Sequence, residues 1–260
     1  MWDALHAEWT KLRTVSGPAW LLAGLIVLTV AVSAAATAAV KCPAGTACPV
    51  DTPKLSLTGI EFGQAIVAIL AVLAISAEYS TGMIRITLTA MPRRFAVLAA
   101  KAVLVAGLVL AAGTIAVGGS LLAGRFILPG HGFTPARGFP LESLADGPTL
   151  RAAAGSVLYL ALIALLSLGI ATVLRDSAVA IGIVLGLLYL SPIIVSVVAG
   201  DPVWYHRLER YAPMSAGLTI QDTIGLRGLP ISPWGGLGVL AVWAAAAMLA
   251  GGLVLRWRDA

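Results

Sequence analysis

Stretches without any charged side chain constrain the fold of this chain more than any other feature of its sequence. Five of them cover residues 14–40, 102–124, 152–174, 177–200 and 228–255. Each is longer than the roughly 20 residues that a helix needs to cross about 30 Å of hydrocarbon. Residues 57–77 form a sixth stretch, which a single acid, Glu61, interrupts. The sequence therefore predicts six membrane-spanning segments, at residues 19–40, 57–77, 102–124, 152–174, 178–199 and 235–255.

The composition agrees with a membrane protein. Hydrophobic residues make up 59% of the 260 residues and charged residues 11%, against roughly 45–50% and 25% in soluble domains. Backbone groups in lipid need hydrogen-bond partners, and these stretches are too long and alternate too weakly for barrel strands. We therefore expect an all-α polytopic membrane protein with an interfacial helix over residues 1–18, a six-helix domain over 19–255 and a tail over 256–260.

The distribution of Lys and Arg indicates the orientation. Six spans place both termini on one side, and positive residues are enriched in cytoplasmic segments. The segments on the side of the termini hold nine bases in 50 residues, whereas the others hold eight in 79. The sequence predicts a multi-pass protein of the cell (plasma) membrane with both termini in the cytoplasm. Because the bases are scattered among loops, the net charge of +5 does not indicate a nucleic-acid partner.

The first eighteen residues have a helical pattern of apolar side chains. Spacings of three, four and three separate Trp2, Leu5, Trp9 and Leu12. The basic residues Lys11 and Arg13 fall elsewhere around such a helix. We expect an amphipathic helix in the membrane interface, where tryptophan is favoured, and the alternative is an extension of the first span.

Two cysteines lie in the first loop on the side opposite the termini. If that side is oxidising, Cys42 and Cys48 would close a small disulfide loop, and otherwise they are two unrelated thiols. No His or acid stands beside them at metal-ligand spacing, so a zinc site is not expected.

Small residues and one proline predict local features of the spans. Gly59 with Gly63, and Gly182 with Gly186, form G-x-x-x-G pairs, which serve either packing within the bundle or dimerisation. Ser191-Pro192, toward the end of the fifth span, predicts either a kink or the start of the following loop.

The sequence offers no energy source or catalytic set of its own. Glu61 is the one acid near a span interior, and it either reaches the outer interface or has a role within the membrane. The chain contains no HExxH, GxSxG or Walker A motif, so we expect neither an enzyme nor bound metal or cofactor.

The loop between the second and third spans carries the strongest functional pattern. Its sequence, EYSTGMIRITLTAMPRR over residues 78–94, places apolar residues on one face of a short helix that Pro92 ends. Alternation at Ile84, Ile86 and Leu88 also permits a strand. An apolar helix between an acid and two arginines would either dock on a cytoplasmic protein or lie on the membrane.

Three segments resemble the permease subunits of ABC-2 type transporters, especially the actinobacterial kind. They are EWTKLRT at residues 8–14, the loop sequence above, and RYAPMSAG at residues 210–217. The resemblance implies a six-helix permease that pairs with a second copy or a sister permease and with cytoplasmic ABC ATPase subunits, which would bind the ATP and magnesium. It also implies that the segment before the last span dips into the outer leaflet.

The resemblance further implies which residues meet the ATPase. In such permeases the N-terminal interfacial helix and the loop after the second span form that surface. The loop residues are Glu78, Tyr79, Gly82, Met83, Arg85, Arg93 and Arg94. Met83 departs from the pattern, since many relatives have Thr after the glycine.

The leading hypothesis is therefore the transport subunit of an exporter for a hydrophobic or amphipathic substrate. One alternative is a noncatalytic membrane scaffold or immunity protein that binds a peptide or lipid at the outer surface. A membrane-embedded enzyme is the least favoured, because the sequence brings no acid–His or Cys–His set onto one face.

Overall fold

The structure is a computed structural model that describes residues 9–10, 14, 16–43, 48–80, 94–139, 142–198 and 209–257. The helices are α1 (Ser16–Ala39), α2 (Thr52–Ser56), α3 (Ile60–Ser80), α4 (Arg94–Ile127), α5 (Gly147–Leu174), α6 (Ser177–Leu185), α7 (Ser191–Val198), α8 (Pro213–Leu218) and α9 (Pro233–Trp257). A π-helical turn joins α6 to α7, and 3-10 turns lie at Leu128–His131, Pro135–Arg137, Thr219–Gln221 and Leu226–Gly228. The described ranges contain no strand.

The predicted all-α polytopic fold is confirmed. Six helical segments are long and apolar enough to cross a membrane: Ser16–Ala39, Ile60–Tyr79, Phe95–His131, Gly147–Leu174, Ser177–Ile194 and Pro233–Trp257. We call the end of the bundle where α1 begins and α9 ends the terminal end, and the other the distal end. Of the predicted interfacial helix, Trp9 is helical and 45% exposed, whereas Trp2, Leu5, Lys11, Leu12 and Arg13 lie outside the described residues.

Helix α5 is the centre of the bundle. It packs against α3, α4, α6 and α9, and large side chains such as Tyr159, Ile163 and Leu166 are fully buried. At Gly169 the backbone of α9 comes so close that an added Cβ would lie 2.5 Å from the Ala247 carbonyl carbon. The core therefore depends on a small residue where α5 and α9 cross.

The first G-x-x-x-G pair packs within the bundle. A Cβ added to Gly59 would lie 2.0 Å from the Thr29 carbonyl oxygen, and one on Gly63 would lie 2.3 Å from Thr29 Oγ1. Ser33 Oγ accepts a hydrogen bond from the Gly59 amide at 3.1 Å. Packing within the bundle is thus confirmed for Gly59 and Gly63.

The same interpretation is wrong for the second pair. A Cβ added to Gly182 or Gly186 would meet nothing within 4 Å among the described residues, so these glycines bring none of the described helices closer.

Three helices begin at residues other than the predicted ones. α4 begins at Arg94, not at residue 102, because the Lys101 side chain is buried in the bundle. α3 begins at Ile60 rather than residue 57, and α2 forms a separate short helix capped by Asp51. α5 begins at Gly147, five residues before the predicted start, with a proline in its first turn.

A π-helical turn at Gly186–Leu190 precedes Pro192, and the helix continues through the proline as α7. Proline cannot donate a backbone hydrogen bond, so a carbonyl one turn earlier loses its usual partner. The Ser191 hydroxyl lies 3.4 Å from the Leu188 carbonyl oxygen and donates to it instead.

Candidate functional site

A buried ion pair lies at the base of the loop that joins the second and third spans. Lys101 Nζ, on α4, donates to Glu78 Oε1, on α3, at 2.9 Å. Glu78 is 6% exposed and Lys101 is 4% exposed. Removing one partner of a buried pair leaves an uncompensated charge and typically costs 3–5 kcal/mol. The pair therefore fixes the ends of the two helices that enter and leave this loop.

A second contact joins the same place to the connection between the fourth and fifth spans. The guanidinium carbon of Arg175 lies 5.4 Å from the ring centroid of Tyr79, which favours a cation–π interaction. Arg175 follows α5 in a left-handed conformation, with φ of 61°, and its amide donates to the Ala171 carbonyl oxygen at 2.9 Å. We call Glu78, Tyr79, Lys101 and Arg175 the terminal-end cluster.

Some sequence-predicted contact residues belong to this cluster and others lie outside the described chain. Glu78 and Tyr79 are in the cluster, and Arg94 is the first residue of α4. Gly82, Met83, Arg85 and Arg93 lie outside the described residues.

Sequence reasoning missed Lys101 and Arg175. The predicted third span begins at residue 102 and therefore leaves Lys101 in the loop. The available signal was its isolation: Lys101 is the one charged residue between Arg94 and Arg125, and a single base inside an apolar segment needs a partner. Glu78, at the end of the preceding span, was the nearest acid in the sequence.

Hydrogen bonds to one aspartate join two loops at the distal end. The Asp51 carboxylate accepts from the Thr223 amide at 2.6 Å, the Thr223 hydroxyl at 2.6 Å and the Ile224 amide at 3.1 Å. It also accepts from the Lys54 amide at the start of α2. Lys54 Nζ pairs with Asp222 Oδ1 at 2.6 Å. These contacts hold the first distal loop against the segment before α9.

A second buried acid lies nearby. Ser56 Oγ donates to Glu142 Oε1 at 2.7 Å, and Glu142 is 7% exposed. Burial is the main cause that raises the pKa of the Glu142 carboxyl to about 7; the negative charge of Asp51 contributes to the rise, and the hydrogen bond from Ser56 opposes it. Glu142 therefore changes its charge near neutral pH.

The segment before α9 folds back into the bundle. α8 and the following turn bury Met214, Ile220 and Gln221, and an added Cβ at Gly217 would lie 2.6 Å from the Tyr159 ring. Tyr159 is twelve residues into α5, which corresponds to roughly 18 Å along the helix. This depth agrees with a segment that enters the bundle from the distal end.

Polar side chains accompany this segment inside the bundle. Tyr159 donates to Gln64 Oε1, Gln64 Nε2 lies 3.3 Å from Met214 Sδ, and Gln221 Nε2 donates to Ser156 Oγ at 3.2 Å. Their mutual hydrogen bonds satisfy polar groups that would be costly in an apolar interior.

The first distal loop contains a disulfide between Cys42 and Cys48, whose Cα atoms are 6.0 Å apart. The Cys42 amide donates to the His131 carbonyl oxygen at 2.9 Å, and Cys42 packs with Leu128 and Phe133. Within the described residues, no three His, Cys, Asp or Glu side chains come together as a metal-ion site.

Comparison with known proteins gives no family assignment: no family model matches the chain, and no curated protein matches it in sequence.

Proposed function

We propose that this chain is the membrane-spanning permease subunit of an ATP-driven ABC-2 type exporter, which moves a hydrophobic or amphipathic substrate across the cell membrane. The observation that carries the proposal is the buried Glu78–Lys101 pair at the base of the loop that resembles an ATPase-contacting loop. The six apolar spans and the segment that folds back before α9 agree with it.

A loop that receives force from another protein must be firmly attached at its base. The Glu78–Lys101 pair joins α3 to α4, and the contact of Arg175 with Tyr79 adds the end of α5. Movement of the loop would therefore tilt several spans together, as in rigid-body transitions between packed states.

This arrangement assigns different roles to the residues of the loop. Glu78 and Tyr79 are positioning residues, because their side chains are engaged with α4 and Arg175. The residues that would meet the ATPase are Gly82, Met83 and Arg85, with Arg93 and Arg94 at the far end of the loop.

Energy would come from the partner subunit, which binds ATP and magnesium. ATP-driven closure of two ATPase subunits would favour one of two conformations of a permease pair, and coupling would be this shift of populations. The pair consists of two copies of this chain or of this chain and a sister permease. Both termini, the loop of residues 78–94 and the ATPase would then lie in the cytoplasm.

The spans present apolar surface that suits lipid and a second permease. Val27 on α1 is 67% exposed, Val197 on α7 is 76% exposed and Leu249 on α9 is 65% exposed. Side chains of this kind are stable against hydrocarbon or a neighbouring apolar helix.

A pull-down of the full-length chain from its native host tests the proposal. Wild-type protein in mild detergent is expected to retain a protein with a Walker A motif and ATPase activity. Gly82→Trp should reduce that recovery at least about tenfold, because a bulky side chain would disturb a docking loop. Gly107→Trp is the matched control, since a Cβ on Gly107 meets nothing within 4 Å among the described residues. A wild-type chain that never recovers an ATPase would contradict the proposal and favour the scaffold or immunity alternative.

A further inference from the structure

A cleft of about 270 Å³ opens at the distal end of the bundle, between the last turns of α4 and the segment that enters α5. The α4 wall consists of Gly118, Leu121, Leu122 and Arg125, and the facing wall includes Glu142 and Leu144. None of the interactions assigned to the terminal-end cluster involves these residues, so the cleft is independent of the proposed ATPase contact.

The level of the cleft in the membrane follows from the length of α4. Arg125 comes 24 residues after Lys101 on one continuous helix, which is roughly 36 Å at 1.5 Å per residue. With Lys101 at the near boundary of about 30 Å of hydrocarbon, this length places Arg125 at the headgroups of the leaflet remote from the chain termini. Gly118 lies roughly 10 Å deeper, and an added Cβ there would meet nothing within 4 Å among the described residues.

The top of the cleft is polar and offers both hydrogen-bond donors and an acceptor. Arg125 Nη1 donates to the Glu142 carbonyl oxygen at 3.1 Å, and its other N–H groups find no acceptor in the described ranges. A guanidinium has five N–H groups, so most remain for a ligand. Glu142 Oε2 is buried and receives no hydrogen bond from the described residues. Asp146 is exposed and adds a second acid, since its carboxylate accepts a hydrogen bond at 3.1 Å from the hydroxyl of Thr149, a residue that lines the cleft.

The lower part of the cleft and its edges are apolar. Leu122 is 57% exposed, Leu144 is 54% exposed and the neighbouring Phe126 is 78% exposed. A polar top above an apolar floor matches a lipid headgroup with the first methylenes of its acyl chains.

We propose that this cleft binds one zwitterionic phospholipid whose headgroup ends in a primary ammonium. The phosphate lies on Arg125, the ammonium N–H groups are directed to Glu142 and Asp146, and the acyl methylenes pass Leu121 and Leu122 over Gly118. A purely anionic headgroup would bring no ammonium to Asp146 or to Glu142, whose carboxyl is ionised above a pH of about 7. A choline headgroup has the positive charge but no N–H to donate to the unpartnered Glu142 oxygen. This site is additional to the exporter function and does not depend on it.

Native mass spectrometry of the full chain with an equimolar mixture of phosphatidylethanolamine, phosphatidylglycerol and phosphatidylcholine, with identical acyl chains, tests the proposal. Wild-type protein should retain phosphatidylethanolamine in clear preference to the other two. Arg125→Gln should weaken its retention about tenfold, because a charge-assisted contact with phosphate is lost. Gly118→Leu, which fills the apolar floor, should weaken it as well.

Two matched variants serve as controls. Arg227→Gln removes another exposed arginine at the distal end, and Gly107→Leu adds the same side chain elsewhere on α4. Both should retain phosphatidylethanolamine like the wild type. If Arg125→Gln does not yield folded protein, the retention of phosphatidylethanolamine by Gly118→Leu tests the proposal in its place.

Equal retention of the three lipids, or retention that neither Arg125→Gln nor Gly118→Leu reduces, would overturn the proposal. Preference for phosphatidylglycerol would show an anion site and overturn the role of the acids. Glycerophosphoethanolamine, which has the headgroup without acyl chains, should not displace the lipid at equal concentration. Full displacement would identify a soluble ligand and overturn the assignment to lipid.

Discussion

Lys101 Nζ donates a hydrogen bond to Glu78 Oε1 at 2.9 Å, and this buried pair joins α3 to α4 beside the loop of residues 78–94. The pair gives that loop a rigid base. A single substitution should destabilise the protein more than an exchange of the two charges. The single substitution leaves one buried charge without this opposite charge, whereas the exchange preserves the attraction.

We therefore expect Glu78→Lys and Lys101→Glu each to lower the free energy of unfolding by about 3–5 kcal/mol. Each should also abolish substrate-stimulated ATPase activity in reconstituted vesicles while membrane insertion persists. The double variant with both exchanges should recover much of the thermal stability and of the coupling. Failure of the double variant to improve on either single variant would argue against a direct partnership.

The raised pKa of Glu142 predicts a pH-dependent stability. The folded state holds the proton more tightly than the unfolded chain, whose glutamate pKa is about 4.3. The contribution of Glu142 to stability is therefore fully present below that value and is lost as the pH rises to about 7, by up to about 3 kcal/mol.

Thermal unfolding in detergent without added lipid, measured from pH 5 to 8, tests this prediction against Glu142→Gln. The glutamine keeps an acceptor for Ser56 and does not titrate, so the difference between the two proteins should grow with pH. Parallel pH profiles for the wild type and Glu142→Gln would contradict the assignment.

The close contact of α3 with α1 predicts a large effect of a small substitution. Gly59→Ala would place a Cβ 2.0 Å from the Thr29 carbonyl oxygen, so the two helices must separate. We expect a loss of about 1–3 kcal/mol or more, seen as a lower midpoint of thermal unfolding. Gly182→Ala is the control, and it should be neutral or slightly stabilising because alanine favours helix. Equal midpoints for the two variants would count against the packing account.

Asp51 predicts a local effect at the distal end. Asp51→Ala removes the acceptor for the Thr223 and Ile224 amides, so their hydrogen exchange should accelerate at least about tenfold. Asp146→Ala removes an exposed acid elsewhere at the same end and should leave these two amides unchanged. Unaltered exchange in Asp51→Ala would mean that the loops are held by other contacts.

The sequence predicted the membrane architecture because charged groups are excluded from hydrocarbon, and that exclusion is visible residue by residue. The predicted start of α4 is wrong because excluding charged residues from spans places Lys101 in the loop. Only the fold shows that Glu78 is its partner inside the bundle. Gly59 and Gly63 pack against α1, whereas an added Cβ at Gly182 or Gly186 would meet nothing within 4 Å among the described residues. The difference depends on which helices are neighbours, and a G-x-x-x-G pattern does not encode that.

The distal contacts were beyond sequence reasoning for the same reason. Asp51 and Thr223 are 172 residues apart, and Ser56 and Glu142 are 86 apart. In the sequence each of these residues has the features of an ordinary loop residue, and nothing in the pattern indicates its distant partner. Glu78 and Tyr79 of the terminal-end cluster, by contrast, belong to a sequence motif that indicated a functional loop beside them.

The central claim is that the loop of residues 78–94 contacts an ATP-binding protein. Arg85→Cys, labelled with a photo-crosslinker in membranes of the native host, tests it directly, with Arg227→Cys at the distal end as the control. We predict an adduct at position 85 that contains a Walker A protein, and no such adduct at position 227. An Arg85→Cys protein that inserts normally and yields no adduct with an ATP-binding protein would contradict the account.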